Sequence, residues 1–468
     1  MRSEIKTKLT KQRLQELKEK KINQLRTKKI QRKRELKSHK RRIANKQFDR
    51  SDSKFYDHCR NIIKSDINNE RLTYTDKIRQ QSTTDDSSSL TVNDFNDFWR
   101  PIWETEKKAN LEAKWIHTVA EAMQSTMTTP ADELIDIGEK DIYASIRKKS
   151  NWSSPGNDKI ANYWLKTLST THKGLDKIVN KIINNDIPLP DWLVEGRCVM
   201  IPKKENPQAK DHRPTTLLNT MYKTITLVID GQLKEHQVIY QYMQIDQRGC
   251  TTNSMGCIDN LILDKTTLEE AKDRKKNLSC TWLDVKKAFD SINHKWLALT
   301  LQLHNIPTKI TNFITNTMTK WSITLEVKIN EKKERIGPIQ LKQGILQGES
   351  FCVRLFTLCL NPIAWWLRSI EGYTYNKHNK QQKLTHLLYV DDLKTYHKSA
   401  QKALLITKTA KSMFEDIGLF WGLDKCATIN IVRGKLQINE ESVSITDTEE
   451  LKILDTDDHY KFLGKYEN

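Results

Sequence analysis

Alternation of hydrophobic and polar residues becomes dense from about Asp141 onward, and three runs of it predict short β-strands. The first, residues 197–204, ends in two lysines, and the second, residues 279–284, ends in a carboxylate. The third, residues 323–329, alternates hydrophobic and polar positions along its length. Because helix-type patterns separate these runs, the sequence predicts a chain of mixed helices and strands.

Helix-type patterns fill the segments between the predicted strands. The stretches 163–168, 296–303 and 402–414 are each predicted to be helical. The stretch 352–370 is apolar on nearly every side, so it is predicted to form a buried helix. The run 211–218 is predicted to open a further helix.

The run Leu387-Leu388-Tyr389-Val390-Asp391-Asp392 places two adjacent carboxylates at the end of an apolar, β-prone segment. A polar strand pattern, residues 393–398, follows at once, so the sequence predicts a strand, a tight turn at Asp391 and Asp392, and a return strand. Adjacent acids at a hairpin tip repel each other, and a bound divalent cation would offset that repulsion. Taken alone, a surface turn explains the pair equally well, because Asp is a common turn residue.

Positive charge is concentrated at the start of the chain. Residues 1–50 hold 20 Lys and Arg against 5 Asp and Glu, which accounts for most of the formal net charge of +19. Such a block usually binds polyanions by releasing counterions, without reading sequence. A solvated helix and a nuclear-targeting signal remain alternatives. The candidate nucleic-acid-binding residues of this arm are Lys28, Lys29, Arg32, Lys33, Arg34, Arg41 and Arg42.

Composition limits the remaining choices. No apolar run in the 468 residues approaches the roughly 20 residues of a membrane span, and the N-terminus lacks the apolar core of a secretory signal. The eight cysteines are scattered without a Cys-x-x-Cys pair, which favours a reducing intracellular setting. Residues 51–140 are predicted to form a polar, partly helical linker region, interrupted by the Ser/Thr/Asp-rich tract 81–89.

A third carboxylate, Asp284, lies at the exit of a predicted strand, 107 residues before Asp391. If the two strands are neighbours in one sheet, their acids meet at one edge. There they could hold two metal ions about 4 Å apart, the arrangement that activates an attacking hydroxyl and steadies a leaving pyrophosphate. Asp284 alone could equally be a solvated acid or a helix cap.

Seven short motifs, in one order, make the chain resemble reverse transcriptases, above all those of non-LTR (LINE-like) retrotransposons. Within that group the resemblance points to the class with restriction-like endonucleases. The match covers roughly residues 150–466. The motifs are Ser154-Pro155-Gly156-Asn157-Asp158, Lys210-Asp211-His212-Arg213-Pro214, residues 282–290, Gly344-Ile345-Leu346-Gln347-Gly348, Tyr389-Val390-Asp391-Asp392, Gly422-Leu423-Asp424-Lys425 and Tyr460-Lys461-Phe462-Leu463-Gly464.

The resemblance implies a fold, α/β (α+β), of the right-hand polymerase type. Its fingers would span residues 141–275 and its palm, an antiparallel sheet backed by helices, residues 276–440. A primer-grip hairpin would follow at 441–468, and we expect the thumb to be largely missing because the chain stops there. The basic arm would be a helical extension.

The resemblance also implies roles for single residues. Asp284 and Asp391 would bind the metal ions, with Asp392 assisting and the Val285 carbonyl completing a site; Lys425 would protonate pyrophosphate. The nucleotide-binding residues would be Lys203, Arg213, Phe289, Gln347, Gly348 and Tyr389. Among them Phe289, five residues after Asp284, would exclude a 2′-hydroxyl. Phe289 could instead be plain core packing.

The cofactors and partners implied are two Mg²⁺ ions (or Mn²⁺), an RNA template, a DNA primer or target, and deoxynucleoside triphosphates. No membrane is expected, and the oligomeric state is left open. The expected location is the nucleus, with a cytoplasmic ribonucleoprotein stage. One departure from the family is Glu349, where an Asp is usual. That departure leaves open a decayed remnant that binds nucleic acid without polymerase activity. A polymerase that makes RNA is a second alternative, because such enzymes often carry paired aspartates too.

Overall fold

The computed structural model describes residues 31–32, 35, 90–127, 137–204, 206–251, 254–329, 332–348, 350–377, 380–437, 442–455, 458–463 and 465–467. The chain divides into two compact units, Met1–Ser88 and Ser89–Asn468. In the first unit the described residues are helical, and Gln31 Nε2 donates to Glu35 Oε1 at 3.1 Å. The rest of the predicted basic arm lies outside the described residues.

The second unit mixes helices and strands. Its described helices are α1 Val92–Glu104, α2 Lys114–Thr126, α3 Glu139–Lys148, α4 Asn162–Thr167, α5 His172–Ile183, α6 Asp191–Val194, α7 Thr220–Tyr240, α8 Cys257–Asp273, α9 Ala288–Ser291, α10 His294–Leu303, α11 Thr308–Lys320, α12 Ser350–Ser369 and α13 Ala400–Asp416. Its strands are β1 Glu195–Pro202, β2 His212–Leu217, β3 Leu278–Leu283, β4 Ser322–Ile329, β5 Lys332–Gln340, β6 Tyr373–Lys377, β7 Lys380–Leu384, β8 His386–Tyr389, β9 Asp392–His397, β10 Ala427–Val432, β11 Lys435–Leu436, β12 Ser442–Ser444, β13 Glu450–Ile453, β14 Tyr460–Phe462 and β15 Lys465–Glu467.

A seven-stranded sheet holds the strands that end in acids. Its order is β12-β13-β10-β3-β9-β8, and β11 pairs with β10. β3 lies at the centre and pairs antiparallel with both β9 and β10, whereas β10 and β13 run parallel. All six residues of β3 are buried, as expected for a central strand covered on both faces.

A second sheet has four strands in the order β2-β1-β4-β5, and no described strand of it pairs with a strand of the first sheet. β1 pairs antiparallel with β2 and parallel with β4, and β4 pairs antiparallel with β5. The predicted boundary between fingers and palm at residue 275 separates β1 and β2 from β4 and β5, the other two strands of this sheet. Two small sheets, β6-β7 and β14-β15, complete the set of described strands.

Helix α12 is the apolar centre of the main core. Most of its residues are buried, including Phe351, Leu355 and Phe356. Among the residues that the structure describes, it is the one helix long and apolar enough to cross a membrane, but its side chains lie mostly inside the fold. Packing therefore accounts for its apolar composition.

Residues 90–127 pack into the core, although the sequence places them in a polar linker region. Thr91 caps α1, because its Oγ1 accepts from the Asp94 amide while Asp94 accepts from the Thr91 amide. Three aromatic residues of α1, Phe95, Trp99 and Trp103, are each no more than 2% exposed. Partly helical structure was predicted here, but packing into the core was not, because the region was judged by its overall polar composition.

The prediction of a helix opening at residues 211–218 is wrong. Residues 212–217 form β2, and the helix begins at Thr220. A proline disfavours helical geometry at the residue before it, so Pro214 keeps Arg213 extended. Alternate residues of β2 are buried, as in a strand with one covered face. The other predicted strands and helices named above are present, with ends displaced by at most two residues.

Candidate active site

The β8–β9 hairpin brings Asp391 and Asp392 beside the end of β3. Asp392 is the first residue of β9 and pairs with Tyr389, so the turn consists of Val390 and Asp391, one residue earlier than predicted. Leu393 of β9 lies opposite Leu283, the last residue of β3. If this antiparallel register continues by one residue, Asp284 lies opposite Asp392. Paired Cα atoms in antiparallel strands lie about 4.5–5.5 Å apart.

The three carboxylates share one electrostatic environment. Burial, followed by the charges of Asp391 and Asp284, raises the pKa of Asp392 to about 6. Burial, and then the charge of Asp284, raises the pKa of Asp391. Burial also raises the pKa of Asp284, in spite of a neighbouring lysine. The fold therefore holds three mutually repelling acids together, which is unfavourable unless a cation compensates them.

Three cationic side chains surround these acids. Lys425 Nζ lies 3.2 Å from Asp284 Oδ2, and the charges of Arg213 and Lys425 offset part of the rise in the pKa of Asp391. Lys203 is exposed overall, but partial desolvation of its amine, followed by the charges of Arg213 and Lys425, lowers its pKa. The site thus combines acids from two strands with cations from β2, the end of β1 and the loop before β10.

The donor set suits a hard divalent cation. Carboxylate oxygens are the protein ligands that Mg²⁺ prefers, and a cation would relieve the repulsion among the three acids. Within the described part of the chain, however, no group of three or more His, Cys, Asp and Glu side chains is arranged to hold a metal ion. The observed partner of Asp284 is the Lys425 amine. The residues fit a metal by their chemistry, and the ligand geometry remains a prediction.

Backbone contacts fix Asp284 and Val285. The Asp284 amide donates to Cys426 Sγ at 3.3 Å, and the Gly422 amide donates to the Asp284 carbonyl at 2.9 Å. Val285 forms an antiparallel bridge with Trp421, and its flanking hydrogen bonds use the Asp284 carbonyl and the Lys286 amide. The Val285 carbonyl is therefore not used by this bridge, and its role as a metal ligand stays a prediction.

A buried glutamine, which the sequence did not reveal, holds the turn between β8 and β9. Val390 has a φ of 58°, in the left-handed region that a β-branched residue rarely adopts. Gln247 Oε1 accepts from the Val390 amide at 3.0 Å and from the Gly249 amide at 2.8 Å, and Gln247 Nε2 donates to the Val390 carbonyl at 3.3 Å. Gln247 is fully buried, so these bonds fix the strained turn that carries Asp391.

The predicted sugar gate, Phe289, is half-buried and stacks on Phe356 of α12. The ring centroids lie 4.7 Å apart and the planes differ by 19°. Phe289 thus has both a packing partner and a partly open face. The gate and the packing interpretations both fit this position.

Gln347 and Gly348 lie against the four-stranded sheet. The Thr216 amide donates to the Gln347 carbonyl at 2.6 Å. A Cβ on Gly348 would lie 2.4 Å from the Thr216 carbonyl oxygen, so only glycine permits this approach. The Gln347 side chain donates to Asp290 Oδ2 at 3.0 Å, a contact that the sequence did not predict.

Asp290 joins helix α1 to this loop. Its Oδ1 accepts from Trp103 Nε1 at 3.1 Å, and burial raises its pKa to about 6. Its neighbour Lys287 places its amine 3.7 Å from the centroid of the Trp99 ring, a cation–π contact. Trp99 and Trp103 of α1 therefore contact the residues that surround the candidate site.

Two further predictions concern the surroundings. The half-buried Tyr389 hydrogen bonds to Cys257, which raises the pKa of its hydroxyl, and its ring lies over Gly256. Arg32 is exposed on a helix, and the other six basic residues predicted to bind nucleic acid lie outside the described residues. Their role stays a prediction.

Comparison with known proteins decides the family. Residues 201–465 match the reverse transcriptase (RNA-dependent DNA polymerase) family. The chain belongs to the reverse transcriptase family. The matched region contains Lys203, Arg213, Phe289 and the three acids.

The chain is similar to Pol polyproteins of retrotransposable elements. It is 24% identical over 248 residues to that of a type-1 element R2 from Popillia japonica, covering 52% of this chain and 32% of the relative. It is 23% identical over 306 residues to that of Nasonia vitripennis, covering 63% and 28%. An uncharacterized 149 kDa protein of transposon TX1 from Xenopus laevis is 29% identical over 196 residues, covering 42% and 14%. The chain spans about a third, or less, of the length of these relatives.

These relatives confirm the prediction of a reverse transcriptase of the non-LTR type. The mixed helices and sheets agree with the predicted α/β class. Enzymes of this family as a whole depend on divalent metal ions and extend primers with deoxynucleotides along an RNA template.

Proposed function

We propose that this chain is an RNA-directed DNA polymerase, which joins deoxynucleotides to a primer 3′-hydroxyl by two-metal nucleotidyl transfer. The observation that carries the proposal is the meeting of Asp284, Asp391 and Asp392 at one sheet edge with Lys425, Arg213 and Lys203 around them. Phosphoryl transfer depends mainly on positioning and charge neutralisation, and this site offers both.

Asp284 and Asp391 would hold two Mg²⁺ ions, with Asp392 assisting and the Val285 carbonyl as a further ligand. Bound there, the ions would supply Lewis-acid stabilisation of the attacking and leaving oxygens. Lys203 and Arg213 would neutralise triphosphate oxygens. Lys425 would give its proton to the departing pyrophosphate, and its contact with Asp284 holds its amine at the reaction site.

Selectivity would come from residues around the nucleotide. Phe289 would press on the sugar and reject a 2′-hydroxyl by steric clash. Gln347 and Gly348 would border the pair formed by the template base and the incoming nucleotide, and Tyr389 would also contact that nucleotide. Because Asp290 holds the Gln347 amide, the loop is already ordered before substrate arrives.

The architecture supports a division into fingers and palm. The seven-stranded sheet would be the palm and the β2-β1-β4-β5 sheet the fingers, with the β14–β15 pair as the primer grip. β4 and β5 would then belong to the fingers sheet, although they lie beyond the boundary at residue 275. The predicted lack of a thumb stays a prediction.

The wider setting follows from the relatives and the arm. The partners would be an RNA template and a DNA primer or target, which the basic residues 1–50 would help to retain. The element would be of the class with restriction-like endonucleases, which the sequence motifs resemble. Insertion into chromosomal DNA would require a nuclear location after a cytoplasmic ribonucleoprotein stage.

Primer extension by the purified chain tests the proposal. An RNA template with an annealed DNA primer is supplied with Mg²⁺ and either deoxy- or ribonucleoside triphosphates. We expect extension with deoxynucleotides, loss of it with chelator, and weak or no extension with ribonucleotides. Binding of the duplex without any extension, with Mg²⁺ or Mn²⁺, would identify a nucleic-acid-binding remnant instead.

A further inference from the structure

A buried lysine lies two residues beyond the acids of the candidate site. Lys394 of β9 is 0% exposed, and its Nζ lies 2.6 Å from Oδ1 of Asp264 in α8, which is 2% exposed. Tyr396 also donates its hydroxyl to Asp264 Oδ1, at 2.6 Å. Residues 392, 394 and 396 share one face of β9, because side chains alternate along a strand. The ion pair is therefore built on the same face as Asp392.

Aromatic rings surround the Lys394 amine. Nζ lies 4.1 Å from the ring centroid of Trp282, its register partner in β3, and 5.3 Å from that of Phe462 in β14. Both rings are within cation–π range, and neither is exposed to solvent by more than 3%. A single buried charge thus contacts the central sheet and the β14–β15 pair.

The same contacts lead back to the acids. The Tyr460 ring of β14 stacks on Trp282, with centroids 4.8 Å apart. Its hydroxyl donates to the Lys425 carbonyl at 2.6 Å, and the Lys425 amine contacts Asp284. The position of β14 relative to Asp284 therefore depends on the Trp282 platform that the Lys394 amine faces.

Stability alone does not require this ion pair. Buried charges lose their hydration, and replacement of such a pair by apolar side chains of similar volume is often neutral or stabilising. The apolar residues that anchor β14 form a cluster of Trp282, Ala427, Leu454 and Phe462. Apolar burial is non-directional, whereas an ion pair and a cation–π contact prefer one geometry.

We propose that the Lys394–Asp264 pair is a positioning device that fixes the β14–β15 pair against β3 and so sets the primer end relative to Asp284. This inference rests on the proposed polymerase function. Lys394 and Asp264 act through Trp282, Tyr460 and Phe462, and they do not themselves contact substrate.

The test removes both charges and preserves the side-chain shapes, in the double variant Lys394→Met/Asp264→Asn. The introduced amide retains an oxygen for the Tyr396 hydroxyl, so the double variant should melt close to wild type, whereas Lys394→Met alone leaves a buried carboxylate unpaired. We expect the KM for primer–template to rise about tenfold in the double variant, with kcat and the KM for deoxynucleotide within about twofold of wild type. Hydrogen exchange of residues 458–467 should speed up while that of β3 and β9 stays unchanged.

Lys398→Met is the matched control. Lys398 directly follows β9, and its ion pair with Glu371 is formed with an exposed partner. The control variant should leave the KM for primer–template unchanged. A second variant, Tyr460→Leu, removes the half-buried ring that stacks on Trp282 together with its hydrogen bond to the Lys425 carbonyl, and it should raise the same KM even if the double variant folds poorly.

The outcomes separate the two proposals. If the wild-type chain fails to extend a primer, the polymerase function itself is contradicted. If it extends, a folded double variant or a folded Tyr460→Leu variant with an unchanged KM for primer–template overturns the positioning role. Unchanged exchange of residues 458–467 in the double variant overturns it equally.

Discussion

Val390 carries backbone strain at the turn that presents Asp391, and one buried side chain holds it in place. A φ of 58° is unfavourable for valine, by about 1–3 kcal/mol. The amide oxygen and nitrogen of Gln247 engage both polar groups of the Val390 backbone. The orientation of the acids therefore depends on a residue more than 140 positions away in sequence.

Gln247→Met should release this turn. The variant keeps the side-chain volume and removes the hydrogen bonds, so the Val390 and Gly249 amides lose their acceptor, at a cost of about 1–3 kcal/mol for each lost partner. We expect a lower melting temperature and a fall in kcat of at least about tenfold. Steady-state kinetics and thermal melts check this. Adding Val390→Gly, which accepts a positive φ, should recover part of the activity; a Gln247→Met enzyme with normal kcat would show that the turn holds itself.

Phe289 gives a second test at the residue scale. Phe289→Ala should admit ribonucleotides and reduce the preference for deoxynucleotides at least about tenfold, because the bulk beside the sugar is gone. The free energy of unfolding should fall by less than the roughly 3–5 kcal/mol of a fully buried phenylalanine, since the ring is half-buried. Ratios of kcat/KM for the two nucleotides measure the effect.

Phe289→Tyr retains the ring and serves as the control. It should keep the preference for deoxynucleotides. A folded Phe289→Ala enzyme that extends primers and still refuses ribonucleotides would place the gate elsewhere and leave Phe289 as core packing against Phe356.

At the scale of elements, helix α1 braces the loop that contains Gln347. Trp103 and Gln347 both donate to Asp290, which is buried and has its pKa raised to about 6. The native state therefore keeps a proton that the unfolded chain releases between about pH 4 and pH 6. Stability should fall as the pH rises through this window, because the folded state binds more protons there.

Asp290→Asn tests this account. Between about pH 4 and pH 6, the variant should lose up to about 2–3 kcal/mol less of its free energy of unfolding than wild type does. One lost hydrogen bond should also lower its free energy of unfolding by the same amount at every pH. Urea unfolding across the pH range, without divalent ions, measures it. In both wild type and Asp290→Asn, Asp392 also makes the free energy of unfolding fall as the pH rises. Equal slopes in the two proteins would mean that Asp290 does not titrate in this window.

The elements were predictable where a local pattern determines them. β3, α12 and the β8–β9 hairpin follow from short apolar runs, and the acids follow from the strand ends. β2 was missed because its short alternating pattern, which contains Pro214, was interpreted as the start of a helix. The core packing of α1 was missed because residues 51–140 were judged by their overall polar composition. Gln247, Asp290 and the Lys394–Asp264 pair could not be predicted, since their partners are distant in sequence and only the fold brings them together.

At the scale of the whole molecule, the net charge of +19 is concentrated in the first 50 residues, and the acids and cations of the site lie in the second unit. General affinity for polyanions and catalysis are therefore separable properties of the chain. The arm should control retention of nucleic acid, and the site should control chemistry.

Deletion of residues 1–50 should lower affinity for RNA and DNA and flatten the plot of log affinity against log salt by several units, because each neutralised phosphate adds roughly 0.7–0.9 to the slope. Fluorescence anisotropy at several salt concentrations measures this. The control for chain length keeps residues 1–50 and replaces the seven candidate basic residues by glutamine. A slope unchanged by the deletion would show that the arm does not contact nucleic acid.

The central claim is that Asp284, Asp391 and Asp392 form the metal-dependent centre of an RNA-copying polymerase. The most direct test compares RNA-templated extension by wild type, Asp391→Asn and Asp273→Asn, the last an exposed acid on α8 away from the site. We predict that Asp391→Asn lowers kcat at least about a hundredfold with its melting temperature kept or raised, because it removes a repelling buried charge, while Asp273→Asn behaves as wild type. Extension by Asp391→Asn at the wild-type rate would contradict the account.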